Sequence, residues 1–139
     1  MDRSGEAIHA AAAFGEAVLA DIENAPWPLM NGDQPRQFAA VIVTNYLWRP
    51  LFPVIAQSLA PGGLLIYETF SEGNETVGKP SRPDFLLRPA ELLQTFNTMR
   101  VIAFEEGFLE GPPRCVQRIA AVQPDSRNVT GASPMRYTL

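Results

Sequence analysis

Phe38-Ala39-Ala40-Val41-Ile42-Val43-Thr44 is apolar and β-branched almost from end to end, without the polar alternation of a strand that has one wet face. Such a run reads as a parallel strand covered by helices on both faces, and therefore as a central one. Arg49-Pro50 then opens a helix in which Leu51, Phe52, Ile55 and Leu59 recur near helical spacing, with Pro50 in the tolerant first turn. Pro61-Gly62-Gly63 turns the chain into a second apolar strand, Leu64-Leu65-Ile66-Tyr67-Glu68. Strand, helix and strand follow with short connections, which predicts a βαβ unit.

The flanking segments extend this pattern and then break it. Upstream, Ser4 is placed to cap a helix through Ala7 to Phe14 that Gly15 stops, and Ala17 to Ile22 reads as a short buried strand. Downstream, a polar loop from Ser71 to Arg88 leads to a helix starting at Pro89, with Leu92, Leu93 and Phe96 as its buried positions. Val101 to Phe104 and Val116 to Val122 are then strand-like runs joined through Gly111-Pro112-Pro113 with no helix between them, which predicts an antiparallel hairpin. The fold class expected is α/β, with a mostly parallel sheet that ends in one antiparallel hairpin.

Composition narrows the function classes. With 139 residues, 46% of them apolar, the chain suits one compact domain over residues 1–123, followed by a polar, flexible tail over 124–139. Only 19% of residues are charged and the net charge is −4, so neither nucleic acid nor an anionic membrane surface is an expected partner. The single cysteine, Cys115, forms no internal disulfide, and no charged-then-apolar leader opens the sequence, which points to a cytoplasmic protein. One His and one Cys far apart do not supply the usual nitrogen and sulfur set of a metal site, so none is expected. His9 is expected at the helix surface.

Three stretches together carry a resemblance: Thr44-Asn45-Tyr46-Leu47-Trp48-Arg49-Pro50 closing the first strand, Leu59-Ala60-Pro61-Gly62-Gly63 before the second, and Tyr67-Glu68-Thr69-Phe70 after it, with the terminal hairpin. The chain resembles the C-terminal part of a class I, Rossmann-like S-adenosylmethionine-dependent methyltransferase, of the bacterial small-molecule, tellurite-resistance-like type, over roughly residues 2–122. The fourth strand departs from the pattern by opening Phe38-Ala39 where the family usually has Phe-Asp.

The resemblance implies S-adenosyl-L-methionine as cofactor and a small-molecule methyl acceptor. It implies that Asp2 ends the second strand and binds the ribose hydroxyls, that Asp21 accepts from the adenine amino group with Ile22 against the ring, and that Asn45 and Tyr46 face the sulfonium. It further implies that Trp48, Arg49, Glu68, Arg82 and Phe85 lie on the acceptor side, the last two in the loop that selects the substrate. The family's glycine-rich loop after the first strand has no counterpart here, so a chain shortened at its N-terminus, or a non-catalytic remnant serving as a binding or dimerisation module, is implied.

In the family's sheet order, 3-2-1-4-5-7-6, the loss of the first strand would bare one edge of the fourth, an aggregation hazard that proteins normally cover. Two ways of covering it are expected: the Ala17 to Ile22 strand moves there, or two copies pair as a homodimer. A short-chain dehydrogenase shares the sheet but needs a lysine one turn after its tyrosine, and Pro50 stands four residues after Tyr46. A serine hydrolase needs a Gly-x-Ser-x-Gly elbow, which does not occur.

Overall fold

The computed structural model describes residues 1–125. Most of the stretch read as a tail, including the Asn128-Val129-Thr130 triplet, lies outside the described residues. The chain divides into two compact units, Met1–Arg36 and Gln37–Leu139.

In the first unit, Ser4 caps α1 (Gly5–Ala11) as expected, its hydroxyl accepting from the Ala7 amide at 3.3 Å. The helix ends at Ala11, with Ala12 as its C-cap, short of Phe14, and His9 is exposed. Ala17 to Ile22 is not a buried strand. It contributes one parallel bridge, Leu19 to Asp2, and Leu19 is 61% exposed. A six-residue segment with one pairing partner has too little ladder to hold it extended. Asn31-Gly32-Asp33 forms the turn of a small hairpin between β1 (Met30–Asn31) and β2 (Gln34–Pro35), with Gly32 at φ +62 where a side chain would be strained.

The second unit is one four-stranded sheet in the order β3-β4-β6-β5. β3 (Phe38–Thr44) pairs in parallel with β4 (Leu59–Phe70) through α2 (Phe52–Gln57), which is the βαβ unit read from the sequence. β5 (Arg100–Glu110) and β6 (Pro113–Val122) form the antiparallel hairpin, and β6 also runs antiparallel to β4. Leu59, expected in the helix, instead opens β4. The expected Pro61-Gly62-Gly63 turn is a register shift inside that long strand: Phe38 faces Leu59 while Ala40 faces Leu64. Gly62 sits at φ +77, and a Cβ on Gly63 would come within 2.8 Å of the Ala60 carbonyl and 3.1 Å of the Phe38 carbonyl. The motif is therefore two glycines for two reasons, a left-handed backbone and a close main-chain approach.

One face of the sheet carries the core. Leu65 and Tyr67 of β4 and Ile119 and Ala121 of β6 are opposite one another in register and buried. Phe52 and Ile55 of α2, and Leu92 of α3 (Glu91–Thr95) with Phe96 after it, complete the buried core; Leu93 is only half-buried. Phe52, Tyr67 and Phe96 form a ring trio with centroids 5.7 to 6.2 Å apart, Phe52 edge-on to the other two.

The other face corrects the reading of Phe38–Thr44. That strand is an edge strand, not a central one, and it is not covered on both sides: Ile42 is 66% exposed and its register partner Ile66 is 39% exposed. The continuous apolar pattern is the pattern of a two-layer burial that the described residues do not provide. Nor does Ala17 to Ile22 move to the bare edge, since its one bridge goes to Asp2; among the described residues no strand pairs with the second edge of β3.

Candidate functional site at the rim of the sheet

The C-terminal ends of parallel strands are where α/β sheets gather ligand-binding groups, because the loops leaving that edge diverge and open a crevice. At the end of β3 the chain leaves through Asn45, at φ +53. Asparagine tolerates this left-handed turn better than most residues. The Asn45 amide donates to the Glu68 carbonyl at 2.9 Å, which fixes the exit against the neighbouring strand. Tyr46 is half-buried, and its carbonyl accepts from the buried Tyr67 hydroxyl at 2.9 Å. Burial, and the neighbouring Tyr46, push the Tyr67 phenol well above its ordinary range, so it remains a donor at neutral pH. Trp48, half-buried, precedes the tight turn Arg49–Leu51.

Arg49 is the most heavily engaged side chain of the rim. Its Nε donates to Glu91 Oε1 at 2.7 Å and its Nη2 to Glu91 Oε2 at 2.9 Å, a two-pronged pairing. Nη1 donates to the Asp84 carbonyl and Nη2 also to the Leu86 carbonyl, both at 2.9 Å. The Glu91 hydrogen bonds raise the Arg49 pKa despite partial burial. Burial alone would raise the Glu91 carboxyl, but the Arg49 pairing and the Arg88 amide outweigh it and hold Glu91 below its ordinary value.

Thus Arg49 clamps the loop that contains Arg82 and Phe85. Those two form an exposed pair, the guanidinium 5.2 Å from the ring centroid, with Arg82 also bonded to Asp84 at 3.0 Å.

Two buried side chains fix the same loop and were not singled out in the sequence. Gln117, fully buried, accepts from the Leu92 amide at 3.1 Å and donates to the Arg88 carbonyl at 2.6 Å and to Glu106 at 3.1 Å. Asn74 donates to the Pro80 carbonyl at 2.9 Å and accepts from the Cys115 amide at 3.1 Å. The visible signal was an amide inside the apolar run Val116 to Val122, since a polar group buried there must find partners.

Glu68 stands beside Thr44 on the bare face, and it gathers two cations. Arg118 Nε donates to its Oε2 at 2.6 Å and Arg114 Nη2 lies 3.6 Å from its Oε1, while Arg118 Nη1 reaches Glu105 at 3.4 Å. The Glu68 hydrogen bond raises the Arg118 pKa.

In the first unit, Asp2 is exposed and its Oδ1 accepts from the Ser4 amide at 2.7 Å. Asp21 accepts from the Glu23 and Asn24 amides at Oδ1 and from the Asn24 side chain at Oδ2, the last bond being the chief cause of its lowered pKa. Ile22 is half-buried. Both carboxylates keep lone pairs unused by these bonds.

Among the described residues no group of His, Cys, Asp and Glu is placed to hold a metal ion, and no helix is long and apolar enough to cross a membrane. No family model matches the sequence, and no curated protein matches it.

Solved structures do match its fold. A methyltransferase of Methanosarcina mazei described as SAM-dependent is 12% identical with a TM-score of 0.63, over 90% of this chain and 81% of its own. TehB of Haemophilus influenzae is 15% identical with a TM-score of 0.59, over 85% of this chain and 44% of its own. The N-methyltransferase NodS of Bradyrhizobium japonicum is 12% identical with a TM-score of 0.54, over 78% and 59%. The chain therefore has a Rossmann-like methyltransferase fold in part, and it spans about half the length of the last two.

Proposed function

We propose that this chain is the acceptor-side part of an S-adenosylmethionine-dependent methyltransferase for a small molecule, of the tellurite-resistance-like type. The observation that carries the reading is the strand exit at Asn45: a left-handed residue at the rim, tied to β4 and followed by a chain clamped through Tyr46 and Arg49. Methyl transfer depends on holding an electrophilic methyl in line with an acceptor about 3 Å away, so a rigid rim is the contribution such a sheet edge makes.

In this reading Asp2 takes the ribose hydroxyls, Asp21 and Ile22 take the adenine, and Asn45 and Tyr46 face the sulfonium. The unused lone pairs of both carboxylates suit the adenosine half of the cofactor. No Gly-x-Gly occurs in the sequence, so the described residues offer no glycine cradle for the methionine half. Trp48, Glu68 and the Arg82–Phe85 pair stand on the acceptor side, with Arg49 holding the loop. A cytoplasmic location accords with the single cysteine.

Calorimetric titration of S-adenosylhomocysteine into the 139-residue chain, with Asp21→Ala as control, tests this. Saturable binding lost in the variant supports it, and no binding removes the cofactor assignment from this chain.

A second reading, a homodimer formed through the β3 edge, is favoured by the uncharged sequence of that strand and by the exposed Ile42. Sedimentation of the wild type against Ile42→Lys tests it: a dimer that becomes a monomer supports the pairing, and a wild-type monomer at all concentrations rejects it.

A further inference from the structure

Among the described residues the sheet of the second unit has two edges, and they are built differently. β5, at one edge, carries Arg100, Glu105, Glu106 and Glu110, with a register shift between Val101 and Ala103. Charge and irregularity are the devices by which an edge strand discourages pairing with another chain. β3, at the other edge, has neither a charge nor a proline along Phe38–Thr44.

The main chain of β3 dictates how a partner strand would lie on it. The Asn45 amide donates inward to the Glu68 carbonyl, and β3 keeps an unbroken register with β4 from Ala40 to Thr44. Successive residues of a strand aim their N–H and C=O to alternate sides, so those of Ala40, Ile42 and Thr44 point outward. At the start of the strand the Phe38 amide turns inward to the Ser58 carbonyl. The outward stretch is therefore centred on Ile42.

The side chains have the same centre. Ala40, Ile42 and Thr44 are all exposed on the bare face, Ile42 by 66%. Its register partner Ile66 is 39% exposed, and Ala120 and Ala103 continue the row across β6 and β5.

An antiparallel strand laid with its own Ile42 opposite this one sets Ala40 against Thr44 on either side, and all three outward residues then exchange main-chain hydrogen bonds. It also joins two rows into one, Ile66–Ile42–Ile42–Ile66, in which β-branched side chains meet across the pair. No charge on β3 opposes another. A second copy supplies the main chain, the isoleucine row and the two-fold symmetry together.

We infer that two copies of this chain pair antiparallel through β3, with the two-fold axis at Ile42, into one continuous sheet with four strands from each copy. The pairing rests on the homodimer reading and fixes its register. A ladder this short belongs with the small interfaces of below about 1,200 Å², so the dimer is concentration-dependent.

Disulfide trapping in a Cys115→Ser background tests the register. A disulfide needs Cα atoms within about 7 Å, and opposite residues of a hydrogen-bonded pair are about 5.5 Å apart. Ile42→Cys should cross-link to itself. Ala40→Cys and Thr44→Cys each lie far along the ladder from their own counterparts, so they should cross-link when mixed, by at least about tenfold over either alone. The mixed pair keeps Ile42, so any weakening by Ile42→Cys does not decide the result. Phe108→Cys, exposed on β5, controls for random encounter and should stay uncross-linked.

Self-cross-linking of Ala40→Cys or Thr44→Cys means a parallel pairing or another register and overturns the inference, as does equal cross-linking of Phe108→Cys. Sedimentation separates the two ideas: a wild-type dimer without the Ala40–Thr44 cross-link upholds the homodimer and overturns its register. A monomer at every concentration overturns both.

Discussion

Replacing Arg49 with methionine tests whether the Arg49–Glu91 pair holds the loop at the rim. Methionine keeps much of the apolar stem and removes all four hydrogen bonds: two to Glu91 and one each to the Asp84 and Leu86 carbonyls. Breaking a fully buried pair by removing one partner costs about 3–5 kcal/mol, whereas an exposed pair is worth about 0–1 kcal/mol. Here the Arg49 side chain is 34% exposed and that of Glu91 only 14% exposed, so the pair lies between these limits.

The carboxylate left behind keeps only the Arg88 amide, which places the expected cost near 2–3 kcal/mol. Arg49→Lys retains the charge without the fork and should recover only about 1 kcal/mol. Arg49→Met combined with Glu91→Gln removes the orphaned charge and should cost less than the sum of the single changes. Urea unfolding followed by circular dichroism gives the free energies, and amide exchange at Leu86 and Leu87 reports the loop. A loss below about 0.5 kcal/mol for Arg49→Met, or strict additivity in the double variant, would refute the clamp.

Further expectations concern the backbone and pH. Gly63→Ala should lower stability by about 1–3 kcal/mol, because the added carbon meets main-chain oxygen at 2.8 Å, and a thermal melt within a degree of wild type would show that the close approach yields. Ala90 precedes α3 at φ +56, so Ala90→Gly should relieve strain and leave a net gain of up to about 1 kcal/mol after the entropic cost of glycine; a lower melting temperature would contradict this. Glu91 titrates below its ordinary 4.5, so its contribution is present above that value and is lost as the pH falls through the lower folded value. Stability measured from pH 6 to pH 3 should therefore fall less steeply in Glu91→Gln than in the wild type, and parallel curves would argue against it.

Much of the second unit is legible in the residues themselves. A helix flanked by two apolar runs, with short connections, has few ways to close other than a right-handed parallel unit, and the loss of a helix between the last two strands leaves only a hairpin. The strand bounds Phe38–Thr44 follow from this local grammar, whereas the order β3-β4-β6-β5 is the one that the resemblance implies. The paired glycines at Gly62 and Gly63 read as a turn in the sequence, but they form a register shift within β4, and the close approach at Gly63 depends on carbonyls of Ala60 and Phe38 brought alongside.

What failed was inference about surroundings. The apolar run of β3 specifies what the strand prefers to touch and says nothing about whether a second layer is present, so Ile42 is exposed where burial was expected. Ala17 to Ile22 has strand propensity, yet a strand exists only where another chain segment supplies a ladder, and Asp2 supplies a single bridge.

The roles of the rim were hidden for the same reason. Arg49 meets Glu91 across forty-two positions and Arg118 meets Glu68 across fifty, distances over which neither charge nor spacing in the sequence selects a partner. The sequence by itself determined the strands, the helix between them and the hairpin, because those depend on periodicity and turn chemistry within a few residues. Only the tertiary structure decided which carboxylate each arginine binds, because hydrogen-bond partners are chosen by proximity in space.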